Sequence, residues 1–332
     1  MERHEMLERR AWVSALRWGV RIAFAALGIG VVVSLVRQAG AGTLCLILRG
    51  AAPWLPLVVL LEGARVGTDA LATYAAYGPA EGRLLPARVL VRAALVARAV
   101  SSIAPAGRTA AEATKAALLA PWAGPTAATA AAATGQAVTL VTGGIISVPC
   151  AAAAYALSGA SPITMALALH SALLVAAGTG IRIAMRARWL GSLAGRLSGR
   201  AGAHVQAFQA RACETSLLPP GPIAAMLLGR ALQVAQYAIL ARAVGAATGV
   251  SRALVAEGAS MVALAVGAFV PAQVGVSEGA FAWSADVLGA TLPQAIAIAL
   301  LGHALEAVYV AVGAVVPLVW RAPRPPDERP EH

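Results

Sequence analysis

Residues 116–181 read AALLAPWAGPTAATAAAATGQAVTLVTGGIISVPCAAAAYALSGASPITMALALHSALLVAAGTGI, 66 positions without one Asp, Glu, Lys or Arg. A membrane-crossing helix needs about 20 predominantly apolar residues, so the run is long enough for two crossings. Pro149 and the stretch Ser158-Gly159-Ala160-Ser161-Pro162 supply a break between them, which places spans over about 124–149 and 162–184. Working outward, apolar runs over Trp18–Val36, Leu44–Leu61, 220–244 and 292–320 bring the total to six full spans. The expected fold class is therefore all-α, a polytopic helical membrane protein.

Composition agrees. Of 332 residues, 59% are hydrophobic and 12% charged, against about 25% charged in soluble domains. That excludes a soluble enzyme and a disordered chain. The net charge of +11 comes from 25 Arg and the single Lys115 against 15 acids. Aromatic interleaving of the kind that stacks bases is lacking, and most basic residues sit between apolar runs. They fit the positive-inside rule and anionic lipid headgroups rather than nucleic acid. Cys45, Cys150 and Cys213 lie far apart without a CxxC pair, so neither a disulfide framework nor a zinc site is indicated.

The expected organisation has five parts. A cytoplasmic amphipathic N-terminus covers 1–17, and a first membrane half covers 18–184 with a helical hairpin at 84–120. An Arg-rich cytoplasmic linker follows at 185–219. A second membrane half covers 220–320 with a hairpin at 253–290, and a disordered tail covers 321–332. Residues 62–83 read as a further cytoplasmic segment.

The two hairpins come from a duplication. Ala104-Pro105-Ala106 precedes Glu112, and Val270-Pro271-Ala272 precedes Glu278; the Pro-to-Glu spacing is seven in both, and the copies are offset by 166 residues. The arms after each turn are 11–13 residues before the next break, too short to cross. Each copy thus reads as a re-entrant hairpin, whose irregular backbone is tolerated at membrane depth only where protein or a water-filled cavity covers it. With both termini cytoplasmic, segments 1–17, 62–83, 185–219 and 321–332 fall inside and hold fourteen Arg, whereas the outside loops hold only Arg37 and Arg252. Three full spans separate the hairpins, so they enter from opposite faces, as in the inverted repeats of transporters.

Several residues carry the expected chemistry. Thr109-x-x-Glu112 has the form of a capping box, yet an intramembrane carboxylate is also a functional candidate. Arg98, Arg108 and Lys115, with Ser101 and Ser102, surround the first hairpin and suit a phosphate; an ion pair of Lys115 with Glu112 is the competing reading. Ser277 can cap the second short helix, placing Glu278 in its first turn. Arg230 lies within a span and needs a partner among Glu257, Glu278, Asp286 and Glu306. His303 and Glu306 form a polar stripe on the last helix. The Arg182–Arg211 cluster reads as a solvated cytoplasmic face. No nucleophile–base set, metal cluster or nucleotide-binding loop is visible, so no enzyme activity, metal or cofactor is expected, and movement of a substrate would be passive or coupled to an ion gradient.

Ser102-Ile103-Ala104-Pro105-Ala106-Gly107-Arg108 through Glu112 resembles the first signature of the lysylphosphatidylglycerol synthase transmembrane-region family, the flippase-like membrane proteins. Val270-Pro271-Ala272-Gln273-Val274-Gly275-Val276-Ser277-Glu278-Gly279 resembles its second, Pro-Gly-Gly-x-Gly-x-x-Glu-Gly. Ala106 and Ala272 stand where that pattern has Gly, Ala111 replaces the Gly before Glu112, and Gly135-Gln136 stands where a Glu-Arg pair is frequent. The resemblance implies a lipid-translocating domain in the inner (cytoplasmic) membrane, acting on anionic or phosphate-bearing lipids. The site candidates, from the residue chemistry and the two turns together, are Arg98, Ser102, Pro105, Arg108, Glu112, Lys115, Arg230, Pro271, Glu278 and Glu306. No soluble transferase domain follows the last span, so synthesis of lysyl-lipid is not expected of this sequence. Two alternatives stand beside transport: a non-transporting partner of a lipid synthase or glycosyltransferase, and a membrane lipid phosphatase of the undecaprenyl-diphosphate type.

Overall fold

The computed structural model describes residues 26–104, 106–187, 199–268 and 270–321. It is 88% helical, with no strand among the described residues. Among the described residues, five helices are long and apolar enough to cross a membrane, the pattern of a multi-pass membrane protein. The expected N-terminal segment 1–17, the start of the first span and the tail after Arg321 lie outside the described residues.

A short helix α1 covers Ala26–Ala39. Helix α2 (Ala41–Ala51) passes through one 3₁₀ turn at Ala52–Trp54 into α3 (Leu55–Gly82). This corrects the expected span Leu44–Leu61 and the expected loop at 62–83: helix continues through Glu62, Arg65 and Asp69, and the non-helical point comes at Gly78, with φ 77°. The physical reason is directional. Glu62, Arg65, Asp69 and Thr73 follow three- and four-residue spacing, so their polar groups share one face, and that face turns inward. Arg65 is therefore not a loop charge.

The first hairpin pairs α4 (Ala87–Ile103) with α5 (Gly107–Ala123), and α6 (Pro125–Ser158) and α7 (Pro162–Arg186) follow. The break at 158–161 falls where expected, but Pro149 does not end the helix. It lies inside α6 with its side exposed, where helix-internal Pro is tolerated in a membrane. The described part of the linker contains α8 (Gly199–Glu214), and α9 (Pro220–Ala243) leads to the second hairpin. That hairpin comprises α10 (Val250–Val266), a 3₁₀ turn at Pro271–Gln273, α11 (Val276–Trp283) and α12 (Ala285–Leu288), and α13 (Leu292–Val319) ends the described chain. The second hairpin has the short return arm that was expected. The first does not: α5 has 17 residues.

The halves interlock by exchange. Helix α4 packs on α13, α10 packs on α6, and α3 packs on α9. Along α3 and α9, Val58 meets Gln236, Thr68 meets Gly229 and Ala75 meets Gly221, so these helices run antiparallel. Along α4 and α13, Arg92 donates to the Trp320 carbonyl at 3.0 Å and Ser102 to Glu306 at 2.6 Å, again antiparallel.

Arg182 corrects another expectation. It is 1% exposed, not part of a solvated face. Its guanidinium donates to the carbonyls of Leu217 and Ser216 and to the hydroxyls of Thr134 and Thr215 at 2.6–3.1 Å. Together with Arg186, which donates to the Thr215 carbonyl, it satisfies the carbonyls just beyond the C-terminus of α8, where cations are favoured. The linker is thereby tied to α6 and α7.

A charged cavity between two hairpin turns

Both hairpin turns place alanine in the left-handed region. Ala106 and Ala272 each have φ 50°, followed by Gln273 at 55°. Left-handed backbone costs an L-residue about 1–2 kcal/mol, so these are two strained points at equivalent positions of the duplication. The next residue explains how the first turn closes. At Gly107 a Cβ would lie 1.8 Å from the Ser101 carbonyl oxygen, so α5 begins against the end of α4 and only glycine fits. At the second turn Gly275, with φ 84°, donates its N–H to Glu278 Oε2 at 2.8 Å. Glu278 thus reaches back to the start of its own helix. The expected capping box at Thr109 does not form: the first residue before α5 is Ala106, and Glu112 turns instead to Lys115.

Both turns border one cavity of about 760 Å³ lying among α3, α4, α5, α6, α9, α10 and α13. Its lining includes the cations Arg65, Arg98, Arg108, Lys115 and Arg230 and the acids Glu62, Asp69, Glu112 and Glu306. Most of these charges are matched. Lys115, 3% exposed, lies 2.8 Å from Glu112 and 3.2 Å from Asp69 and donates to Thr73 at 3.0 Å. Arg230 pairs with Glu257 at 2.9 Å, which selects one partner from the four that the sequence offered. Arg98 donates to Glu62 at 3.1 Å, and Glu62 also receives Arg65 at 2.9 Å.

A polar chain continues across the cavity. Glu306 accepts from Ser102 and lies 3.9 Å from Arg98; His303 stands 4.0 Å from Glu306 and 3.2 Å from Glu278. The second hairpin is thereby linked through α13 to the first. Arg108 differs from the other cations. Among the described residues its one hydrogen bond is to Thr139 Oγ1 at 3.2 Å and it has no carboxylate partner; its Nε, like that of Arg98, is buried without a partner.

Of the ten site candidates, Arg98, Ser102, Arg108, Glu112, Lys115, Arg230 and Glu306 line the cavity. Glu278 does not line it; the side chain is buried, 1% exposed, behind the second turn. Pro271 falls in the 3₁₀ turn, and Pro105 lies outside the described residues. Sequence reasoning missed Glu62, Arg65 and Asp69 as site residues, because it placed them in a loop. Their three- and four-residue spacing was the available signal. No family model matches the chain, and no curated protein or solved structure is detectably similar to it.

Proposed function

We propose that this protein carries a lipid with a phosphate-bearing headgroup from one leaflet to the other, the headgroup entering the cavity while the acyl chains remain in the bilayer. The observation that carries this reading is Arg108, a cation without a carboxylate partner among the described residues, beside a cavity bordered by both hairpin turns. Intramembrane charges are costly and accordingly mark substrate paths, and a phosphate is the ligand an unmatched guanidinium suits best.

The architecture supports transport in particular. The repeated elements α3 and α9 pack antiparallel, as a two-fold axis in the membrane plane requires of equivalent spans. The reciprocal packing of α4 on α13 and α10 on α6 follows the same exchange. In an inverted repeat the site lies where the repeats meet, and rocking one against the other exposes it to alternate faces. The resemblance of the two turns to flippase-like proteins points the same way, and the proposal includes an inner-membrane location with both termini cytoplasmic.

The test is leaflet exchange in proteoliposomes with labelled phosphatidylglycerol and a zwitterionic control. Exchange above protein-free vesicles, lost in Arg108→Ala, is the expected result. Absence of exchange for every lipid, by protein that is folded and monodisperse, would overturn the proposal and favour a partner protein that anchors a lipid-modifying enzyme.

A further inference from the structure

The cavity also bears on which phosphate lipid enters. Among the described residues, four of its lining side chains hold a buried polar atom without a hydrogen-bond partner: Arg98 and Arg108 at Nε, Gln136 at Oε1, and His303 at Nε2, which has the Glu278 carboxylate 3.2 Å away. Buried polar atoms are nearly always satisfied, by protein, water or ligand, so these are the points at which a ligand seated here gains hydrogen bonds. The two guanidinium nitrogens are donors and suit phosphate oxygens. The Gln136 carbonyl is an acceptor, and an ionised phosphate has nothing to offer it.

Gln136 and Thr139 are three residues apart on α6, hence on one face, and Thr139 receives Arg108 at 3.2 Å. The unmatched acceptor and the unmatched cation therefore belong to one corner of the cavity. Two kinds of headgroup donor compete for that corner. An ammonium would have to sit beside the Arg108 guanidinium, and the nearest acid on the first hairpin, Glu112, is already held by Lys115 at 2.8 Å. A hydroxyl carries no charge to repel. It also both donates and accepts, so it serves the carbonyl and the amide NH₂ of Gln136 alike.

We infer that the cavity selects phospholipids whose headgroup bears a hydroxyl close to the phosphate, a polyol or sugar ester, over amine-bearing or bare phosphate headgroups. This rests on the transport reading above and narrows it: Arg108 takes the phosphate and Gln136 the hydroxyl. A site built to hydrogen-bond a hydroxyl discriminates against analogues lacking it, because its own buried group is then left unpaired.

The experiment compares exchange of phosphatidylglycerol and phosphatidylinositol with phosphatidylethanolamine and phosphatidic acid, for wild type, Gln136→Leu and Gln136→Glu. Wild type should move the hydroxyl-bearing pair about tenfold faster, and Gln136→Leu should bring that ratio close to one, as expected when a buried hydrogen bond is lost. Gln136→Glu places a carboxylate in the Arg108 corner and should slow every phosphate lipid. A monodisperse elution profile and native helical content are required of each variant. Should a variant fail this control, the wild-type headgroup ratio alone decides. Equal exchange of all four lipids above protein-free vesicles would overturn the selectivity and leave the transport proposal standing. A wild-type preference that Gln136→Leu retains would overturn the role of Gln136. No exchange of any lipid would remove both readings.

Discussion

Lys115→Met is the perturbation whose cost follows most directly from the structure. The ammonium stands 2.8 Å from Glu112 and 3.2 Å from Asp69. Removing it leaves two carboxylates, 6% and 24% exposed, without a cation. Glu112 has little room to turn elsewhere, because its Oε2 lies 2.7 Å from where a Cβ on Gly135 would stand. Breaking a buried ion pair by deleting one partner costs about 3–5 kcal/mol; the partial exposure of Asp69 favours the lower end, about 3 kcal/mol. At about 2–4 °C per kcal/mol for chains of 150–250 residues, and less for a longer one, the apparent melting midpoint in detergent should fall by about 5 °C or more. Tryptophan fluorescence and size exclusion read it. The triple variant Asp69→Asn, Glu112→Gln, Lys115→Met removes the stranded charges as well and should recover most of the loss. A Lys115→Met midpoint within about 1 °C of wild type, or a triple variant less stable than the single one, would refute the reasoning that burial makes the lysine indispensable to its acids. Leaflet exchange by the recovered triple variant would further show whether Lys115 serves the headgroup or only clamps α5 to α3.

Other expectations follow from single positions. Ala106→Gly and Ala272→Gly relieve left-handed strain of about 1–2 kcal/mol and give back about 0.4–1 kcal/mol in unfolded-chain entropy, so each should raise the midpoint slightly; a lower midpoint would contradict the turn geometry. Gly107→Ala drives a methyl into the Ser101 carbonyl and should reduce the yield of monodisperse protein several-fold, measured by detergent gel filtration. Glu278→Gln keeps an acceptor for the Gly275 N–H but loses the charge beside His303, so exchange should fall while the midpoint moves by less than about 2 °C; the reverse pattern would make Glu278 a purely structural cap. Arg182→Met strands the carbonyls of Ser216 and Leu217 and should make the 199–219 segment cleavable at lower protease concentration, with spans otherwise intact.

Much of this was legible along the chain. The offset of 166 residues located both turns, and seven of the ten site candidates read from the sequence line the same cavity. The break at Ser158–Ser161 was readable because Gly and Ser punctuate an otherwise unbroken apolar run. The continuation of α3 was not, since hydropathy scores Glu62, Arg65 and Asp69 as a polar interruption without regard to the direction in which they point. The pairing of Arg230 was left open among four acids for a related reason: sequence distance between α9 and α10 says nothing about which turn of one helix faces which turn of the other.

The sequence by itself determined that this is a helical membrane protein and that a Pro-Ala turn followed by a glutamate occurs twice in it, because apolar run length and repeated spacing are one-dimensional properties. Only the tertiary structure decided which charges are matched. Arg182 is buried among carbonyls, Lys115 is shared by two acids, and Arg108 has no ion-paired carboxylate among the described residues. Charge matching depends on a few ångströms between helices far apart in the chain, and at membrane depth those few ångströms separate a structural ion pair from a ligand site.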